Sequence, residues 1–119
     1  MYNYFKGKIT WIDKEYIVLE VSNIGYEIHV EDPNDFKQNK EYLIYIYHHK
    51  TEKEDKLFGF KTFEEKQLFK NFLQIKGYGP KTTLNLFKKH EAQNILKMKK
   101  EELLTIPKIN KENIKKIGI

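Results

Sequence analysis

Short apolar runs alternate with turn residues along the first half of the chain, and this pattern is typical of β-strands. Breaks such as Asp13-Lys14 and Ser22-Asn23 separate runs that are rich in Tyr, Ile and Val. Tyr42 to Tyr47 carries apolar or aromatic residues at successive positions, which predicts a strand covered on both faces. Short strands at this spacing are typical of a small barrel or sandwich. We predict five strands, at Tyr4 to Trp11, Tyr16 to Val21, Gly25 to Val30, Tyr42 to His48 and Leu57 to Phe60.

After Phe60 the apolar residues follow a helical period. Thr62 to Glu65 fits a capping box, in which the Thr hydroxyl and the Glu carboxylate each accept a backbone N–H. Breaks at Gly77 to Pro80 and at Ile106 to Asn110 interrupt the pattern, so that a helix, a break and a helix occur twice. An apolar stripe marks the first helix at Leu68, Phe69, Phe72 and Leu73. Further helices are predicted from Lys81 to Lys89, Glu91 to Met98, Glu101 to Thr105 and Lys111 to Ile117.

These patterns predict an α+β chain of two domains, a five-stranded domain over residues 1–62 and an all-helical domain over residues 63–119. Hydrophobic residues make up 39% of the chain, which is enough for a folded core. Cys is absent, which excludes a disulfide scaffold and Cys-ligated zinc. No apolar run approaches the roughly 20 residues of a membrane span. We expect a soluble cytoplasmic protein that does not bind membranes.

The charge is divided unevenly between the two predicted domains. Residues 1–60 hold 8 Lys and 11 acidic residues, whereas residues 61–119 hold 14 Lys and 6 acidic residues. The first half therefore carries −3 and the second half +8, which together give the net charge of +5. The basic second half indicates a surface for nucleic acid or another acidic partner. All 22 basic residues are Lys. Because Arg is the residue that forks onto guanine edges, Lys alone favours contact with phosphates over base recognition.

The first break, Lys76-Gly77-Tyr78-Gly79-Pro80-Lys81-Thr82, has the pattern of a helix-hairpin-helix. Two glycines one residue apart allow left-handed φ angles and close approach of a ligand to the backbone. Pro80 is suited to the first position of a helix, whose outward-facing amides and dipole attract an anion. Lys81 adds a cation. We interpret this segment as a phosphate-binding hairpin that is indifferent to base sequence; the alternative is a structural helix hairpin.

The second break resembles a worn copy of the first. Lys108 and Asn110 stand where the two glycines are expected, on either side of Ile109. Asn tolerates a left-handed φ angle better than Lys does, so the hairpin is expected to be distorted. The segment remains basic through Lys108, Lys111, Lys115 and Lys116. Phosphate contact and a merely structural role both stay open.

Several motifs together resemble the RuvA family of Holliday-junction-binding proteins. The start of the chain, Met1 to Ile9, is similar to the family's opening strand, and Val21 to Val30 matches its V-x-x-x-G-Y-E-V segment. Leu57 to Phe60 corresponds to the family's L-Y-G-F, and Lys76 to Lys81 to its N-G-V-G-P-K. The resemblance implies an OB-like barrel followed by two helix-hairpin-helix motifs. It implies DNA contacts at Lys76, Gly77, Tyr78, Gly79, Pro80, Lys81, Thr82, Lys108, Ile109, Asn110 and Lys111.

The resemblance also implies an acidic pin, formed by carboxylates on the loop before L-Y-G-F. Here the loop reads His48 to Lys56, and its acidic residues are Glu52, Glu54 and Asp55. Carboxylates facing crossing phosphates repel them and help to separate strands without gripping one register. A Lys within the tip softens this repulsion. The alternative is an ordinary solvated hairpin tip.

In the RuvA family four subunits form a flat ring that holds a four-way DNA junction open and nearly square. A third, small helical domain binds the motor subunit RuvB. Nothing in this sequence corresponds to that domain, so we expect a truncated chain that does not couple to RuvB by itself. The family resemblance predicts a homotetramer, sequence-independent junction binding and no catalytic activity, cofactor or metal.

Two rival functions are kept. An OB-fold single-stranded DNA-binding protein would use the Tyr-rich strands to stack bases, although core packing explains the same tyrosines. A metal-dependent nuclease would use His48, His49 and the acids of the loop as ligands. Adjacent histidines on a strand point to opposite faces, which disfavours a shared metal ion.

Overall fold

The computed structural model describes residues 2–118. The chain divides into two compact units, Met1–Lys66 and Gln67–Ile119, which we call the barrel unit and the helical unit. The division falls within the first helix, a few residues after the boundary that the composition suggests.

The barrel unit is a closed five-stranded β-barrel of the OB-like type. The order around the barrel is β1-β2-β3-β5-β4, and β4 pairs with β1 to close it. Neighbouring strands are antiparallel except β3 and β5, which run parallel. The five predicted strands are confirmed, and the barrel replaces the alternative of a sandwich. The strands are β1 (Tyr4–Ile12), β2 (Tyr16–Val21), β3 (Ile24–Val30), β4 (Glu41–Lys50) and β5 (Asp55–Phe60).

Inward-facing side chains fill the barrel because alternate residues of each strand point to the same face. Gly59 faces this interior, where an added Cβ would lie 2.5 Å from Ile28 Cγ2 and 2.7 Å from Ile44 Cγ2. Only Gly fits at that position. A 3₁₀ turn at Pro33–Asp35 precedes Phe36, which joins the core. The core contains Ile9, Ile17, Leu19, Ile28, Val30, Phe36, Ile44 and Ile46.

The prediction that β4 is covered on both faces is wrong. Ile44 and Ile46 are fully buried, but Leu43 on the opposite face is 40% exposed. Tyr45 and Tyr47 on that outer face are half-buried. A closed barrel has one interior, so each strand has a single face that is fully buried inside it.

The helical unit is built from short helices. It contains residues 67–72 of the first helix and all of the later helices. The capping box predicted at the start of the first helix is confirmed, since Glu65 N–H donates to Thr62 Oγ1 and Thr62 N–H donates to Glu65 Oε1 at 3.1 Å each. Phe72 lies edge to face with Tyr78 and with Phe87. The helices are α1 (Phe63–Phe72), α2 (Pro80–His90), α3 (Ala92–Leu96) and α4 (Lys100–Leu103).

The helix predicted at Lys111 to Ile117 is wrong in its first half. Turns occupy residues 111–113, and only Ile114–Ile117 forms a 3₁₀ helix. Side chains of Asn110 and Asn113 bind backbone N–H groups here and compete with the helical pattern. Gly118 then adopts a left-handed φ of 78°, which ends the segment. In residues 2–118 we find no helix that is long and apolar enough to cross a membrane.

Candidate nucleic-acid interface

The first hairpin connects α1 to α2 through a tight turn that depends on Gly77. Its φ angle is +97°, a region that side chains rarely adopt. The turn is closed by the Tyr78 N–H, which donates to the Ile75 carbonyl at 3.0 Å. Gly79 has φ −90° and ψ 179°, an extended conformation that any residue can take. The expectation that both glycines use left-handed φ angles is therefore correct only for Gly77.

The N-terminus of α2 is open. No side chain caps it, and Pro80 at the first helical position has no N–H to satisfy. A Cβ added to Gly79 would meet no atom within 4 Å. Neither backbone conformation nor packing therefore requires Gly at this position. Lys81 and Thr82 are exposed beside the open amides, so the arrangement can accept an anion from solvent.

Two residues predicted to contact DNA have side chains that belong to the packed interior. Tyr78 is 5% exposed, its ring packs on Phe72, and its hydroxyl donates to the Pro107 carbonyl at 2.5 Å. Burial raises the pKa of this Tyr. Ile109 is 7% exposed. Their amides are also occupied, because each donates to a carbonyl within its own turn. The side chains and amides of both residues are therefore engaged within the hairpins, and DNA contact at these two positions stays a prediction.

The second hairpin repeats the backbone geometry of the first. The Ile109 N–H donates to the Ile106 carbonyl at 3.1 Å, as Tyr78 does in the first hairpin. Lys108 has a φ of +68° and takes the left-handed position that Gly77 holds there. The turn itself is not distorted, since the Ile114 N–H donates to the Asn110 carbonyl as Thr83 does to Gly79. The backbone departs from the first hairpin after the turn, where turns and a 3₁₀ helix take the place of an α-helix. The strain of a left-handed Lys is tolerated instead.

The two hairpins differ in what caps the segment that follows the turn. Asn110 Oδ1 accepts the backbone N–H groups of Glu112 and Asn113, at 2.9 Å each. The Asn110 N–H in turn donates to Asn113 Oδ1 at 2.8 Å. The amides that a phosphate would need are therefore already bound to the chain's own side chains. The second hairpin keeps the shape of the motif but not its open amides.

The β4–β5 hairpin carries the predicted pin residues at its tip. Thr51 organises the turn: its Oγ1 accepts the N–H groups of Lys53 and Glu54, and its own N–H donates to the Glu54 carbonyl. Glu52 is exposed at the turn, whereas Asp55 begins β5. The structure thus places all three acids within one short hairpin, with a Lys among them.

Two histidines of β4 pair with two of these acids. His48 Nε2 lies 2.6 Å from Asp55 Oδ1, and His49 Nε2 lies 3.4 Å from Glu54 Oε2. The hydrogen bond from His48 holds the pKa of Asp55 below its ordinary value of 3.8. The histidines thus bind different carboxylates, as adjacent strand positions require. Within residues 2–118, no group of three or more His, Asp or Glu side chains is placed to hold a metal ion.

Comparison with known proteins relates this sequence to a family. A family model described as the RuvA N-terminal domain matches residues 1–59. A relative from Listeria monocytogenes, named Holliday junction branch migration complex subunit RuvA, is 35% identical over 98% of this chain.

The chain belongs to the RuvA family.

Relatives with the same name from Halalkalibacterium halodurans and Streptococcus gordonii are 31% and 36% identical over 98% and 94% of this chain. The chain spans 61% of the length of the Listeria relative and 60% of the Streptococcus relative.

Sequence reasoning missed three features of this RuvA-family chain. The two His–carboxylate pairs follow from the register of β4 and β5. His48 is paired with Leu57 and His49 with Lys56, so each histidine lies diagonally across from the acid two residues before its partner. The cap made by Asn110 has a local signal, because an Asn side-chain oxygen readily accepts the backbone N–H groups two and three residues later in such a turn. The course of the Lys108 side chain has no sequence signal, since it contacts a residue 31 positions earlier.

Replacement of His48 by Phe should raise the pKa of Asp55 toward 3.8, because the ring is kept and the hydrogen bond is lost. The native pair stabilises the fold fully above the unfolded pKa, and this contribution disappears as the pH falls through the lower folded pKa. The side-chain carboxyl signal of Asp55, followed by NMR from pH 6 to pH 2, measures the shift. His49→Phe is the matched control, since His49 pairs with Glu54. An unchanged midpoint in His48→Phe would contradict the assignment.

Proposed function

We propose that this chain is a non-catalytic, structure-specific DNA-binding protein that holds four-way junctions for branch migration in recombinational repair. The observation that carries the proposal is the uncapped start of α2 behind Gly79, in a chain whose relatives are named as Holliday junction subunits. Lys-only basicity, concentrated in the helical unit, supports contact with phosphates of any sequence. We interpret residues 63–119 as a domain of two helix-hairpin-helix motifs and residues 1–62 as an OB-like domain.

The first hairpin is the proposed phosphate clamp. Gly79 leaves room for a phosphate to reach the amides at the start of α2, and the helix dipole favours the negative charge. Lys76 and Lys81 flank the opening and are exposed. Thr82 is exposed on the first turn of α2 and offers a hydroxyl donor. Gly77 contributes by making the turn, and Pro80 by starting the helix.

The β4–β5 tip is the proposed pin. Glu52, Glu54 and Asp55 carry three negative charges, but Lys50, Lys53 and Lys56 stand among them. With neutral histidines the tip has no net charge. A tip of this kind blocks the centre of a junction sterically and binds no single phosphate strongly, which suits DNA that must move past it. We propose that the β4–β5 tip acts as a spacer that repels phosphates only weakly.

Assembly belongs to the same proposal. A homotetramer would surround the junction, as the family resemblance implies, and the barrel unit offers exposed apolar side chains for subunit contacts. Coupling to RuvB is not proposed for the segment in this chain. The exposed large apolar residues are Tyr2, Tyr4, Trp11, Ile24, Leu43 and Phe63.

A second candidate is an OB-fold single-stranded DNA-binding protein. Tyr4 and Trp11 support it, because they lie on the outer surface of β1 and are 52% and 57% exposed. Exposed aromatic rings on a barrel can stack bases without regard to sequence. However, Tyr4 already packs edge to face on Tyr45, and Tyr45 packs in the same way on Phe63.

The preferred DNA separates the two candidates. We expect the chain to bind a synthetic four-way junction more tightly than linear duplex or single strand of the same sequence, because several hairpins engage several arms at once. A gel shift with and without Mg²⁺ measures the preference and also reports any cleavage. Preference for single strand would favour the second candidate, and Mg²⁺-dependent cleavage would contradict a non-catalytic role.

Substitution of Gly79 by Ala should weaken junction binding at least about tenfold, because a methyl group would obstruct the amides that bind phosphate. The free energy of unfolding should fall by less than about 1 kcal/mol, since the methyl group meets no neighbouring atom. Titration of fluorescent junction DNA and urea denaturation measure the two effects. Gly25→Ala in the barrel unit is the matched control. Unchanged binding by Gly79→Ala would refute the clamp.

Replacement of Glu52, Glu54 and Asp55 together by Ala should leave junction affinity unchanged or make it tighter, since it removes charges that repel phosphates. The matched control replaces Glu15, Glu20 and Glu27, which are exposed on the barrel unit and change the net charge equally. A tighter complex only for the tip variant indicates local repulsion. A large loss of affinity would mean that the tip attracts DNA.

A further inference from the structure

Lys108 belongs to the second hairpin by sequence but lies against the first by structure. Its Nζ is 3.3 Å from the Gly77 carbonyl oxygen and 5.8 Å from the centre of the Tyr78 ring. A Cβ built on Gly77 would meet Lys108 Cδ at 2.7 Å and Nζ at 3.2 Å. The side chain therefore runs directly over the turn that leads to α2.

This placement is maintained at a conformational cost. Lys108 has a φ of +68°, where a residue with a side chain is strained and Gly is preferred. The same position of the first hairpin is held by Gly77. A glycine at position 108 would give the same turn without strain but would carry no ammonium group. What Lys adds is the charge and its cover over Gly77.

The ammonium group remains available to a negative ligand. In the described part of the chain, the salt bridges are those of His48 and His49, and Lys108 makes none. Its hydrogen-bond partner is a single backbone carbonyl. An ammonium group has three donors, so a carbonyl and a ring face do not saturate it. Lys108 is also exposed to solvent.

The second hairpin offers no comparable use for this charge. The side-chain oxygens of Asn110 and Asn113 accept backbone N–H groups of the loop. Asn113 Nδ2 also donates to the Lys108 carbonyl at 2.9 Å. The backbone of Lys108 is thus fixed by the second hairpin while its charged end is delivered to the first. That end contacts the Gly77 carbonyl, and Gly77 lies three residues before Pro80, the first residue of α2.

We propose that Lys108 supplies a cation to the phosphate clamp of the first hairpin, so that the two hairpins form one composite phosphate site instead of two equivalent ones. The inference rests on the proposed function and assigns the ligand class, a DNA backbone phosphate. The second hairpin acts as the support that aims Lys108. The amides at the start of α2 and the Lys108 ammonium group bind the same phosphate from two sides.

Replacement of Lys108 by Gly tests this assignment, because the left-handed turn is kept and the charge is removed. Junction affinity should fall about tenfold, and the slope of log affinity against log salt concentration should become shallower by about 0.9. Lys108→Arg should bind within about threefold of the unchanged protein, since a phosphate-binding cation is retained. Urea denaturation should show that Lys108→Gly is at least as stable, so weaker binding would not reflect unfolding.

A double-mutant cycle with Gly79→Ala distinguishes a shared phosphate from separate contacts. If both residues hold one phosphate, the double variant should lose clearly less affinity than the product of the two single losses. Losses that multiply would place Lys108 at a separate contact and overturn the composite site while leaving junction binding intact. Unchanged affinity in Lys108→Gly would overturn it as well. Failure of the unchanged protein to bind junction DNA would instead remove the proposed function itself.

Discussion

A hydrogen bond from the buried Tyr78 side chain holds the two hairpins of the helical unit together. The Tyr78 hydroxyl donates to the Pro107 carbonyl, and the ring beneath it packs on Phe72. A hydrogen-bonding group on a buried side chain costs about 1–3 kcal/mol when it is left without a partner, so this contact helps to fix the spacing of two turns that are far apart in sequence. Gly77 and Lys108 stand beside its two ends. The positions of the open amides and of the Lys108 ammonium group both follow from this contact.

Side-chain chemistry decides how two turns with the same backbone differ. Gly79 has no side chain, so it cannot cap the amides that follow it. Asn110 contributes an oxygen, which binds the equivalent amides itself. The same distinction applies at the β4–β5 tip, where His48 and His49 bind carboxylates that would otherwise face outward alone. Internal partners thus take over groups that could have acted on DNA.

Local pattern was enough to predict the five strands, the capping box and the two breaks, because each depends on residues close together in sequence. It failed where neighbours far along the chain decide the outcome. Tyr78 stands between two glycines in a basic loop and reads as a surface residue, yet Phe72 and Pro107 enclose it. The prediction of the last helix failed for a local reason that helix propensity understates. The Asn110 side chain accepts a backbone N–H group and so competes with helical hydrogen bonding. DNA contact itself remains a prediction at all the residues named from the sequence.

The pairing order of the barrel has a consequence for how the chain folds. β4 and β5 form a hairpin from neighbouring segments, whereas closure requires Tyr4 to meet Tyr45 and Ile28 to meet Leu57. To bring distant segments together, the chain must lose more conformational entropy before the stabilising contacts form, and this slows folding. The hairpins of neighbouring strands, β1–β2, β2–β3 and the β4–β5 hairpin that bears the pin residues, are therefore the parts of this sheet that can form earliest, and the parallel β3–β5 pairing is among the steps that complete the barrel.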